Sequence, residues 1–375
     1  MWRRTAMGTF VLKQKAQMYF SGFGAKMALA TLAMPDFSMA LFTFLWLETM
    51  RHDREILPRQ CVPARGLLLL LIATWTLMTG PAMAQNDLLV ASPLRGTIER
   101  FDGFSGEYLG AIIGQGSGGL NRPGDIEVGP DGQLYVTSAL TNEVLRYDGM
   151  TGEFLDVFVA GQGLSRPNNL TFFGGSLYVG NFASGTGGGV SRFDAGTGAF
   201  QERLVDADFV DGITFRGDSI FVSSFFGGVG QYDLATGELI ADFASAGEGG
   251  LSNPTALLFN DAGELLVSSY SDNSVKRYSA DGDYIDDVIT GLATPEGLEF
   301  GLDGHLYAGS YTQGIINKYD RDTYELISQF ASNGTESNFF TFRGPAATIP
   351  EPTTFVPMGI VAALAYRRRK QRRRM

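Results

Sequence analysis

From residue 87 to residue 343 the chain alternates short apolar runs with clusters of Gly, Asp, Asn and Pro. The clearest stretch is Arg122-Pro123-Gly124-Asp125-Ile126-Glu127-Val128, then Pro130-Asp131-Gly132-Gln133-Leu134-Tyr135-Val136, then Val144-Leu145-Arg146-Tyr147-Asp148. It predicts three short strands joined by a Pro-Asp-Gly turn and a polar loop, with a fourth strand over 154–159. Four such strands leave both faces of their sheet bare, so the unit has to recur to bury them. Three columns show that it does. Val90, Val136, Val179, Val222, Val267 and Ala308 share one register. Phe101-Asp102, Tyr147-Asp148, Phe193-Asp194, Tyr232-Asp233, Tyr278-Ser279 and Tyr319-Asp320 share the next, and segments 125–128, 169–172, 212–215, 256–259, 297–300 and 339–342 precede each turn. Neighbours within a column are 39 to 46 residues apart, the period of a four-stranded propeller blade.

The strand count predicts how the ring closes. The chain enters at a second strand (88–91) and leaves after a first strand (339–342), so the last first strand completes the opening blade. The expected fold is an all-β, six-bladed β-propeller over 85–345 with this "velcro" closure, which leaves no open sheet edge at the seam. Turn chemistry agrees, because Pro130-Asp131-Gly132, Asp261-Ala262-Gly263 and Leu302-Asp303-Gly304 suit tight hairpins. Phe104-Ser105-Gly106-Glu107, Met150-Thr151-Gly152-Glu153 and Ala235-Thr236-Gly237-Glu238 repeat one outer turn whose acids read as solvated turn formers. The succession R-P-x-G-I-x-V, D-x-x-G-x-x-Y-V and x-V-x-x-[FY]-D resembles the NHL-type propellers over residues 87–343, a resemblance that speaks to fold far more than to function.

The ends carry other patterns. Residues 1–60 show no repeat and read as an over-extended start or an unstructured segment. Arg59 and Arg65 precede an apolar core over 67–78, and Ala82-Met83-Ala84 supplies a small-x-small site before Gln85; this predicts a signal peptide over 61–84 cleaved between Ala84 and Gln85. Residues 346–375 place Pro350-Glu351-Pro352 before an apolar stretch (355–366) and a run of arginines and lysine (367–374). That order predicts a short transmembrane tail with its positive end held in the cytoplasm. It resembles the PEP-CTERM sorting signal of Gram-negative bacteria. The resemblance implies an exosortase-type sorting partner, transient membrane anchoring before processing, and export through the inner membrane to the surface or matrix of a cell that makes exopolysaccharide.

Composition narrows the partners. Net charge is −11 over 375 residues, but residues 85–345 hold 35 Asp/Glu against 13 Lys/Arg while the ends are basic. An acidic body of this kind disfavours nucleic acid. The single cysteine, Cys61, precedes the expected cleavage site, so a mature form would use neither disulfides nor thiol chemistry.

Candidate chemistry gathers where loops enter the first strands and leave the second, on one face of the ring. Two residues before the main apolar residue of each first strand stand Gly124, Asn168, Asp211, Thr255, Glu296 and Asn338. Asn168, Asp211, Glu296 and Asn338 offer oxygen ligands suited to Ca²⁺ or another divalent cation, although Asp and Asn also cap turns through their own backbone. Val210-Asp211-Gly212-Ile213 and Arg166-Pro167-Asn168-Asn169-Leu170 resemble the metal-binding strings of the regucalcin and gluconolactonase family; the resemblance implies Asp211 and Asn168 as metal ligands with Glu296 as a third. Virginiamycin B lyase is a related propeller whose chemistry is implied to need a histidine base, but the expected mature region has His305 alone, in a turn away from that ring. Residues 185–189 lack the Lys-Ser/Thr of a phosphate loop and read as a lengthened loop. Phe182, Phe225, Tyr270 and Tyr311 end four of the second strands and suit either packing between blades or stacking on a sugar. The sequence therefore points to a non-enzymatic binding module for polysaccharide or protein. A divalent-metal-dependent hydrolase or lactonase at the axial site is the alternative.

Overall fold

The computed structural model describes residues 86–332, 334, 336, 337 and 339–344. The signal segment with Ala84 and Gln85, the Pro350-Glu351-Pro352 tail and Asn338 lie outside them. Among the described residues no helix is long and apolar enough to cross a membrane.

Six four-stranded antiparallel sheets follow one another along the chain. Their first strands are Pro123–Val128, Pro167–Phe173, Val210–Arg216, Pro254–Phe259, Pro295–Phe300 and Phe340–Arg343. The last of these pairs with Asp87–Ser92, matching Asp87 to Arg343 and Val90 to Phe340, so the two ends of the propeller complete one blade as expected. First strands of neighbouring blades lie against one another around the axis.

Apolar side chains from facing sheets form the clusters between blades. Tyr135, for example, packs edge-on against Phe158 and Phe172, and Tyr307 does the same with Phe330 and Phe342. Five of the six outer turns are held by an aspartate at the end of the third strand, and the sixth by the Ser279 hydroxyl, which accepts the N–H groups of Asp281 and Asp283. Asp148 accepts the N–H groups of Met150 and Thr151 and the Thr151 hydroxyl, and Asp102, Asp194 and Asp320 make the same set in their own blades. Those bonds hold the carboxyls below their ordinary range. The 185–189 loop contains one short 3₁₀ turn, Gly185–Gly187.

Candidate functional site

A first strand at the hub has one edge paired within its own blade and the other turned toward its neighbour, and buried N–H and C=O groups there must find partners. Side chains on the adjoining blade supply many of them. Asp125 accepts the Leu170 N–H at 3.0 Å and the Asn169 amide at 2.8 Å. Glu127 accepts the Phe172 N–H, and Glu299 accepts the Phe342 N–H and the Thr341 hydroxyl. The Ser223 hydroxyl donates to the Thr255 carbonyl at 2.7 Å, and the Thr255 hydroxyl to the Pro295 carbonyl at 3.0 Å.

Above these links lies a pocket of about 150 Å³ at the channel mouth. Asn168, Asp211 and Glu296 line its floor and are brought together as the sequence predicts; Thr255 instead turns into the neighbouring backbone. Gly124 is required by close approach, since a Cβ there would sit 2.5 Å from the Asn168 carbonyl oxygen. The Asn168 amide donates to Asp211 Oδ1. Asp211 is 2% exposed and Glu296 8% exposed, and the Glu296 carboxyl has no hydrogen-bond partner among the described residues. Burial pushes the Asp211 carboxyl up to about 7, with the Asn168 bond opposing it. Burial, followed by the charge of Asp211, holds the Glu296 carboxyl well above its ordinary range.

The wall of the pocket is a ring of six residues, each following the end of a second strand: Pro93, Ala139, Phe182, Phe225, Tyr270 and Tyr311. The four aromatics form a continuous half-buried arc, with centroid separations of 5.5 Å for Phe182–Phe225, 5.5 Å for Phe225–Tyr270 and 6.3 Å for Tyr270–Tyr311. Each is pinned through its backbone: the amides of Phe182, Phe225, Tyr270 and Tyr311 donate to the carbonyls of Arg166, Phe209, Asn253 and Thr294 at 3.0 to 3.1 Å. Those four acceptors, like Arg122, stand immediately before a first strand with φ between 44° and 57°. Packing and pocket lining are thus one role for these rings.

Sequence reasoning missed Arg122 and Arg166, exposed at the rim, and Phe209, which meets Phe182 at 5.5 Å. The Arg166 guanidinium lies 5.5 Å from the Phe182 ring centre. It also missed the deeper acids Asp125, Glu127 and Glu299, although polar residues inside an otherwise apolar innermost strand were a signal for them. His305 is half-buried in the hairpin turn at the far end of its strand, with Asp303 accepting its N–H.

Among the described residues the floor brings together two carboxylates and one amide, and the amide nitrogen is turned to Asp211. Among the described residues no three His, Cys, Asp or Glu side chains gather to hold an ion.

No family model and no curated protein sequence matches the chain. A chain in a crystal structure of a nidogen/laminin complex is similar in structure, with a TM-score of 0.57 and 14% identity over 69% of this chain and 98% of that one. The computationally designed Ika8 protein aligns with a TM-score of 0.44 and 17% identity over 69% of this chain and 78% of that one. The first likeness supports the propeller fold, and the fold alone.

Proposed function

We propose that the protein is a non-enzymatic binding module that presents the channel-mouth pocket to a partner. The observation that carries this reading is the pinned aromatic arc standing over two buried carboxylates, with no nucleophile-and-base pair beside them among the described residues. A pocket of about 150 Å³ is below the roughly 300–1,000 Å³ of sites that enclose a whole small ligand. It suits one group inserted by something larger, a protein or a polysaccharide, with the exposed Phe226 beside the arc extending the contact. The hydrolase alternative rests on the convergence of Asn168, Asp211 and Glu296 in the same pocket and is tested beside the binding-module reading. The NHL-like repeat spacing agrees with this reading, and so do the signal-peptide and PEP-CTERM patterns outside the described residues, which suit export and sorting to the cell surface or matrix.

The test is a chemical-shift screen of the labelled protein against neutral, acidic and basic oligosaccharides and short peptides, run beside lactone-hydrolysis assays with Ca²⁺, Mg²⁺ or Zn²⁺. Perturbations at Phe182, Phe225, Tyr270 and Tyr311 without turnover are expected. Turnover abolished by Asp211→Asn, or perturbations confined to another face, would overturn the reading.

A further inference from the structure

Which chemistry the pocket accepts follows from what its floor lacks. A carboxylate taken out of water needs a counter-charge or several donors. Asp211 has the Asn168 amide, but Glu296 lines the pocket more than nine-tenths buried with no hydrogen bond to its carboxyl among the described residues. The two arginines on this face do not supply the missing charge. Arg122 acts on Glu296 through space without an ion pair, and Arg166 is stacked on Phe182. Both are exposed, so solvent screens them far more than the carboxylates beneath.

The wall is suited to the same ligand. Aromatic faces attract cations through their quadrupole, most strongly where water is excluded. The hydroxyls of Tyr270 and Tyr311 are both held above their ordinary range by burial and then by the charge of Glu296, which places that carboxylate beside both rings. A cation favours the ionised form of both carboxyls and draws their protons off, which a neutral sugar does not do, and an anion would be repelled wherever Asp211 and Glu296 ionise.

We propose that the pocket is a receptor for an organic cation: an alkylammonium head on a side-chain-sized stem, seated between Asp211 and Glu296 and enclosed by Phe182, Phe225, Tyr270 and Tyr311. This rests on the binding-module reading and names its ligand class. The same head is presented by a lysine side chain of a partner or by a free amine, and Pro93 and Ala139 leave the opposite side of the wall open for the stem.

The experiment is calorimetry and chemical-shift titration of the full-length chain with n-butylammonium, the neutral alcohol n-pentanol, acetate, and a capped lysine (Nα-acetyl-lysine N-methylamide). Butylammonium is expected to bind at least tenfold more tightly than pentanol and acetate, with shifts at the four aromatics. Capped lysine binding as well as or better than the free amine assigns the head to a protein partner, and weaker binding assigns it to a free amine. Glu296→Gln, checked for an unchanged fold by circular dichroism, should lose at least tenfold, and Tyr270→Leu several-fold. Arg122→Gln should gain two- to threefold by removing a rim charge of the same sign. Equal binding of pentanol, tighter binding of acetate, or full binding by Glu296→Gln would overturn the ligand class. In that event neutral or acidic perturbants of the same four aromatics would leave the module reading standing. Silence of the pocket toward every probe would end both.

Discussion

Asp211 is held between two opposing effects, and one neighbour sets the balance. Burial raises its carboxyl, while the Asn168 amide bonds the charged form and pulls it down. Asn168→Ala removes the second effect only, so the Asp211 midpoint should move from about 7 to a higher value, read by carboxyl-carbon NMR titration. An unchanged or lower midpoint would mean that the bond does not favour the ionised form. Asn168 and Asp211 were legible because the repeat aligned them, and Phe182, Phe225, Tyr270 and Tyr311 for the same reason. Arg122 and Arg166 were not. Each precedes a proline, a position that favours extended backbone, yet both adopt a left-handed turn that gives their carbonyls to the amides of Ala139 and Phe182. A non-glycine residue takes that conformation only where surrounding contacts impose it. Local sequence carries no mark of those contacts.

At the scale of strands, closure rests on Phe340–Arg343 pairing with Asp87–Ser92. The side chains of Arg343 and Asp87 form an ion pair with each only 6% exposed, and Arg343 also donates to the Gly149 carbonyl of the next blade. Removing one member of a buried pair leaves a charge without its counterpart and costs about 3–5 kcal/mol. Asp87→Ala should therefore destabilise the propeller by about that much in urea unfolding, whereas Asp87→Leu combined with Arg343→Met should recover most of the loss. A cost under about 1 kcal/mol for the single change would mean that the seam is held by its backbone ladder alone. The strand order itself was readable, since column spacing and Pro-Asp-Gly turns are local properties that repetition amplifies. The ion pair was hidden because its partners lie 256 residues apart and belong to a strand that occurs in the chain without its blade.

Around the whole ring, blades are joined at the hub by polar links, and three of the joining groups are acids with no ion pair among the described residues. Burial pushes Asp125 up to about 7 and Glu299 to about 8, and holds Glu127 well above its ordinary range, with the charges of its neighbours adding to the rise. Asp211 and Glu296 are raised at the mouth above them. A carboxyl raised in the folded state stabilises the protein fully below its unfolded value, near 4, and loses that contribution as pH climbs through its folded value. The outer-turn aspartates act in the opposite sense. Asp102, Asp148, Asp194, Asp233 and Asp320 are lowered by their turn bonds, so their contribution is present above about 4 and is lost as pH falls through their folded values. The two windows meet near pH 4, which puts maximum stability at about pH 4–5, where the turn carboxylates are ionised and the hub acids still protonated. Between pH 5 and pH 9 the thermal midpoint should fall by at least roughly 5–10 °C, which the loss of only two pKa units among these acids already supplies, since one unit is about 1.4 kcal/mol and 1 kcal/mol is about 2–4 °C for a domain of this size. Glu299→Gln keeps an acceptor for the Phe342 N–H without the ionisation, so it should flatten the alkaline side while leaving the acid side as it was. A midpoint that stays level from pH 5 to pH 9, or a Glu299→Gln profile parallel to the parent's, would mean that the hub relaxes or admits water enough to ionise these acids without loss.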